Sequence, residues 1–136
     1  MTKYLSEEIE NKVTQLRKGI LELAILSALN RVSHYGYSLV RELTAAGAAE
    51  MKEGTIYPIL SRLAKEELVR TEWVESSQGP PRKYYSLTDS GRAMGEALNL
   101  EFRRLVGLID AANRPASSGG DVSEKKTLTI GRKDHD

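Results

Sequence analysis

The chain has 136 residues, 40% hydrophobic and 29% charged, which suits one soluble domain able to bury a core without cross-links. It has no cysteine, and its two histidines, His34 and His135, lie about a hundred positions apart, so a disulfide framework, a thiolate metal site and a histidine zinc site are all excluded. Net charge is +1, from 20 Lys and Arg against 19 Asp and Glu, so any case for nucleic acid rests on where the charges sit and not on their sum.

Residues 1–8 lack the apolar stretch of a signal peptide, and the longest apolar run, over 20–29, is interrupted by Glu22 and Ser27. No membrane span is expected, and the expected location is the cytoplasm. Leu5, Ile9, Val13, Leu16, Ile20 and Leu23 recur at spacings of four and three, the stripe of an amphipathic helix. Over 20–29 the helix is apolar on nearly all sides, as a core helix is, and Gly19 is the expected bend between arm and core. Residues 30–33 read as a connection, with His34 a turn residue. A second helix is predicted over 35–46, with Leu39, Val40 and Leu43 on one face and Gly47 at its end. A third runs over 55–67. Proline is tolerated in a first turn, so Pro58 predicts a start at Gly54 or Thr55 with Thr55 as N-cap.

The period then changes to two. Residues 69–75 and 83–87 alternate, and Ser76 to Arg82 between them holds the breakers Gly79, Pro80 and Pro81, which predicts a β-hairpin. Thr88, Asp89 and Ser90 cap a fourth helix that runs to about Ala112, with Leu98, Phe102, Leu105 and Ile109 in a seam of coiled-coil spacing. Residues 114–136 have the composition of a flexible polar tail.

The expected fold is mainly α with a small β-hairpin: a winged helix-turn-helix with an N-terminal arm and a long C-terminal dimerisation helix. The expected divisions are 1–87 for DNA binding, 88–113 for dimerisation and 114–136 for the tail. Two apolar stripes, Leu5, Ile9, Val13 and Leu16 on the arm and Leu98, Phe102, Leu105 and Ile109 on the last helix, exceed what one three-helix core covers, so a homodimer is expected. The third helix is the expected recognition helix. Its exposed face carries Lys52, Thr55, Tyr57, Ser61, Arg62 and Lys65, opposite Ile56, Leu60 and Leu63. The wing carries Arg82 and Lys83 and has no acidic residue from Ser76 through Ser86, which suits phosphate contact. Double-stranded DNA is the expected partner. The low aromatic content speaks against single-strand binding. Neither a Ser-His-Asp or Cys-His set nor a P-loop is present, so neither an enzyme nor a cofactor is expected. A winged-helix module for protein–protein contact is the alternative, separable by salt-dependent duplex binding.

Three segments in order, His34-Tyr35-Gly36-Tyr37-Ser38-Leu39, Glu53-Gly54-Thr55-Ile56-Tyr57-Pro58-Ile59-Leu60-Ser61-Arg62-Leu63 and Gly79-Pro80-Pro81-Arg82-Lys83-Tyr84-Tyr85-Ser86-Leu87-Thr88-Asp89-Ser90-Gly91, resemble the PadR family of bacterial transcriptional regulators over roughly 16–112. A MarR-like regulator is the competing winged-helix reading, and Glu-Gly-Thr-Ile-Tyr-Pro favours the PadR-like one. The resemblance implies a homodimer that represses promoters and is released by a small-molecule or stress signal. It places Gly36 and Tyr37 at the start of the second helix, with Tyr37 near a phosphate and Ser38 beside it among the expected DNA contacts. Thr55, Tyr57 and Pro58 then stand at the head of the recognition helix, and Arg82 and Lys83 in the wing. The tail has no counterpart in the family pattern.

Overall fold

The computed structural model describes residues 3–47 and 52–116. Four helices and three short strands follow one another: α1 (Lys3–Arg31), β1 (His34–Tyr35), α2 (Gly36–Ala45), α3 (Glu53–Lys65), β2 (Val69–Val74), β3 (Arg82–Leu87) and α4 (Asp89–Asn113). The fold is mainly helical with a three-stranded antiparallel sheet in the order β1-β3-β2, a winged helix-turn-helix. By its contacts the chain divides into two compact units, Met1–Glu101 and Phe102–Asp136. The expected tail segment with Leu128 and Ile130 lies outside the described residues.

The core of the first unit is made where the apolar faces of the three leading helices meet the sheet. Ile25, Leu26, Leu39, Ile56, Leu60 and Leu63 are fully buried, and Leu68, Val69, Tyr85 and Leu87 close the sheet side. Leu98, from the first half of α4, packs against the same core. The described part of the second unit is the end of α4 and the residues after it, with Leu105, Leu108 and Ile109 exposed.

Four local expectations are corrected. The first helix runs unbroken through Gly19, and Ile20 is 39% exposed, so the buried run starts at Leu23. His34 is a strand residue and not a turn residue: it lies opposite Tyr85 in β1 and is buried. Tyr35 accordingly belongs to β1, and α2 starts at Gly36. The fourth correction is the start of α3. Lys52, not Thr55, is the N-cap, and its carbonyl accepts the N–H groups of Thr55 and Ile56, both at 2.9 Å. Pro58 therefore sits in the second turn. The helix bond it cannot make belongs to the carbonyl of Gly54, an exposed residue that water can reach.

The junction of α3, β2 and α4 is tightly specified. Helix α3 ends in a Schellman motif: the Leu68 N–H donates to the Leu63 carbonyl at 2.9 Å and the Glu67 N–H to the Ala64 carbonyl at 3.0 Å. Glu67 takes the left-handed position, with φ of 62°. The expected cap at Thr88 is present. Its hydroxyl accepts the Gly91 N–H at 2.9 Å and donates to the Glu67 carbonyl at 2.7 Å.

Candidate nucleic-acid interface

Helix α2 begins directly where β1 ends, because β1 is only two residues long. Its first residue, Gly36, is buried beneath the ring of Tyr57, which reaches across from α3. A Cβ at Gly36 would overlap the Tyr57 ring and hydroxyl. Burial, and secondarily the Glu53 carboxylate, pushes the Tyr57 phenol above its ordinary value. Burial, and secondarily Tyr57, does the same to Tyr85. Both hydroxyls therefore keep their protons at neutral pH, and Tyr57 remains a donor suited to a phosphate oxygen.

The wing sorts its side chains by the two-residue period of a strand. Lys83 pairs across the ladder with Trp73, and Tyr84 lies opposite both Glu72 and Tyr35. The Lys83 ammonium stands 6.0 Å from the Trp73 ring centre and 5.8 Å from that of Tyr85. On the other face the Arg82 guanidinium lies 4.4 Å above the Tyr35 ring, which itself packs on Tyr84 at 5.4 Å. A cleft of about 510 Å³ opens between the start of α2, α3 and the wing, lined by Tyr35, Gly36, Tyr37, Tyr57, Trp73, Arg82, Lys83 and Tyr85. Its cations rest against rings, so they are held in place before any ligand arrives.

Tyr37, Tyr57, Arg82 and Lys83, predicted separately from two helices and a strand, thus meet in one cleft. Thr55, Pro58 and Arg62 instead line a groove of about 790 Å³ between α3 and α1. Arg62 donates to the Glu22 carboxylate of α1 at 2.8 Å, so its guanidinium is drawn toward that helix. The Ser38 side chain is turned inward. Its hydroxyl donates to the Tyr35 carbonyl at 3.0 Å and lies 2.9 Å from His34 Nδ1. The other His34 nitrogen is 3.3 Å from Glu42, which also binds Arg31 at 2.6 Å, so Ser38 belongs to a network that ties β1 to α2. Lys52, Ser61 and Lys65 are exposed. Gly54, Pro58, Ser61 and Lys65 recur at spacings of four, three and four, and they form the outward stripe of α3.

Four residues of the cleft were not among the predicted contacts: Tyr35, Gly36, Trp73 and Tyr85. Trp73 is 67% exposed, although an aromatic residue in an alternating strand reads as a packing residue. The signal for it was its place across the turn from Lys83, which becomes visible only once the hairpin register is fixed.

The PadR-like transcriptional regulator family matches this chain over residues 25–97, more than half of its length. The chain belongs to that family. The matched span holds both helices of the helix-turn-helix and the whole wing of this PadR-like regulator. A PadR-like transcription factor from Bacteroides fragilis is 38% identical in sequence, with a TM-score of 0.63 over 75% of this chain and 98% of that one. A PadR family transcriptional regulator from Eggerthella lenta is 30% identical, with a TM-score of 0.71 over 84% of this chain and all of that one (100%). An uncharacterized protein of Lysinibacillus sphaericus is 30% identical over an alignment of 95 residues that covers 68% of this chain and 87% of that protein.

Proposed function

We propose that this transcriptional regulator is a sequence-specific repressor that binds a palindromic operator as a homodimer in the cytoplasm and is released by a small-molecule or stress signal. The observation that carries the DNA reading is the convergence of Tyr37, Tyr57, Arg82 and Lys83 on one cleft beside the exposed stripe of α3. The stripe is small at its leading end, at Gly54, Pro58 and Ser61, so the helix can approach base edges closely in a major groove. Lys65 reads or anchors further along, and Lys52 and the Thr55 end of the helix face the backbone. Tyr57 flanks the stripe as a phosphate donor, and Arg82 and Lys83 reach the backbone from the wing. Arg62, drawn toward Glu22, acts at the rim of the groove. Ser38 contributes by fixing the start of α2 under Tyr37.

The homodimer reading is supported by apolar surface on both long helices. On α1, Ile9 and Leu16 are 44% and 71% exposed, next to the exposed Leu5 and the half-buried Val13. On α4, Leu105 and Ile109 are 39% and 54% exposed and Phe102 is half-buried. Leu98 is engaged with its own core, so the shared seam begins one turn later. Burying these side chains against a second copy under two-fold symmetry sets two α3 helices toward successive major grooves. The testing experiment is duplex binding across salt concentration. A linear fall of log affinity with log salt supports the reading, and salt-independent or absent binding contradicts it.

A further inference from the structure

The cleft between α2, α3 and the wing holds more aromatic surface than duplex contact uses. Eight aromatic residues are present in the whole chain, so the composition alone argues against base stacking. The fold nevertheless gathers five of them, Tyr35, Tyr37, Tyr57, Trp73 and Tyr85, around one opening with two cations. Trp73 and Tyr37 are 67% and 52% exposed. The bases of a duplex are stacked on one another, and its backbone offers phosphate and sugar to a protein. The cations of the cleft answer the phosphate, and duplex contact leaves the exposed surface of the Trp73 and Tyr37 rings unused.

We infer that this cleft takes an unstacked nucleobase together with its phosphate, so that the protein binds single-stranded DNA at the same surface that faces duplex. The combination needed is a set of π-faces beside a positive rim, and both are present. Arg82 and Lys83 already rest on Tyr35, Trp73 and Tyr85, so binding a phosphate there orders little that is not ordered beforehand. The indole of Trp73 and the phenol of Tyr37 are the exposed faces on which a base can stack. Among the described residues, none that lines the cleft is acidic. The Glu53 carboxylate acts on the Tyr57 hydroxyl from the head of α3. Because a strand in the cleft occupies Tyr57, Arg82 and Lys83, it competes with duplex, and in this respect alone the inference rests on the operator reading above. The ligand chemistry, a base carrying a phosphate, is shared by a free nucleotide and a single strand.

Calorimetric titration of the full chain with hexathymidylate, with an abasic hexamer of the same charge, and with adenosine monophosphate tests it without any duplex present. The expected result is saturable binding of hexathymidylate at least fivefold tighter than the abasic strand, since stacking contributes about that much or more per base. Trp73→Ala weakens hexathymidylate at least fivefold, and Trp73→Phe restores most of the loss, which a merely structural role would not reproduce. Adenosine monophosphate binding as tightly as the hexamer assigns the cleft to free nucleotide, and weaker binding assigns it to a strand; both keep the site. Equal affinity for abasic and base-bearing strands, or an unchanged Trp73→Ala variant, overturns it. Duplex binding is measured separately on the same protein. Duplex binding without a base preference on single strands removes the inference and leaves the operator reading intact. Stacking without duplex binding does the reverse.

Discussion

The ring of Tyr57 fills the space in which any side chain at Gly36 would have to begin. That contact joins the start of α2 to the head of α3 and sets where the Tyr57 hydroxyl points. The overlap falls on the far end of an exposed-edge ring, which can swing aside. Gly36→Ala is therefore expected to leave the melting temperature within a few degrees of wild type and to weaken duplex binding by about tenfold, close to the 1.4 kcal/mol that one charge-assisted phosphate contact contributes. Tyr57→Phe, which keeps the ring and removes the donor, is expected to show a loss of the same direction. Unaltered affinity in both variants, read by duplex titration, would remove Tyr57 from the interface.

Glu67 holds the left-handed position that ends α3, at φ 62°, where glycine has no steric penalty. Glu67→Gly is expected to stabilise the fold by about 1 kcal/mol and to raise the melting temperature by several degrees. A lower melting temperature would show that the Glu67 side chain contributes more than its backbone conformation costs.

Gly91 faces the opposite constraint. A Cβ there would overlap the carbonyl oxygen of Leu68, which is backbone and cannot rotate away. Gly91→Ala is expected to destabilise by about 3 kcal/mol, because the Thr88 cap and the end of α3 must move together. Thermal unfolding followed by circular dichroism measures it, and a loss below about 1 kcal/mol would mean the junction is more compliant than its hydrogen bonds suggest.

Arg82 and Lys83 are the two cations of the cleft. Replacing both with alanine is expected to reduce the slope of log affinity against log salt by about one to two units, with similar losses on operator and non-operator duplex. Arg62→Ala, by contrast, removes a half-exposed ion pair with Glu22 that contributes about 0–1 kcal/mol to stability. Its effect on the slope is expected to be under one unit.

Leu105 and Ile109 are exposed on the same face of α4. Leu105→Asp is expected to convert a dimer to monomer at micromolar concentration and to weaken operator binding with it, because two half-sites are no longer held by one particle. Sedimentation velocity on both proteins reads this directly. A monomeric wild type, or a dimeric Asp variant, would contradict the seam.

Features whose cause is local were legible in the sequence. The hairpin followed from alternation on either side of Gly79, Pro80 and Pro81, and the Thr88 cap from residue type and position. The motifs at Gly36-Tyr37 and Thr55-Ile56-Tyr57-Pro58 pointed to the right family because they are contiguous. What escaped depends on partners distant in the chain. β1 is two residues long and exists through Tyr84 and Tyr85, about fifty positions on. The helical period placed Arg62 on an exposed face, and nothing local announced Glu22, forty residues earlier, as its partner. Pro58 does not mark the helix start because the carbonyl that loses its bond belongs to the exposed Gly54, which water reaches. The aromatic cleft was hidden by low overall aromatic content, since composition carries no information about where the rings collect.

Selection of bound sequences from random duplex DNA tests the central claim most directly. The expected result is enrichment of a palindrome with two half-sites about one helical turn apart, and loss of that enrichment when Tyr57 is replaced by alanine. Recovery of no sequence preference, or of a preference that survives Tyr57→Ala with the same affinity, would contradict it.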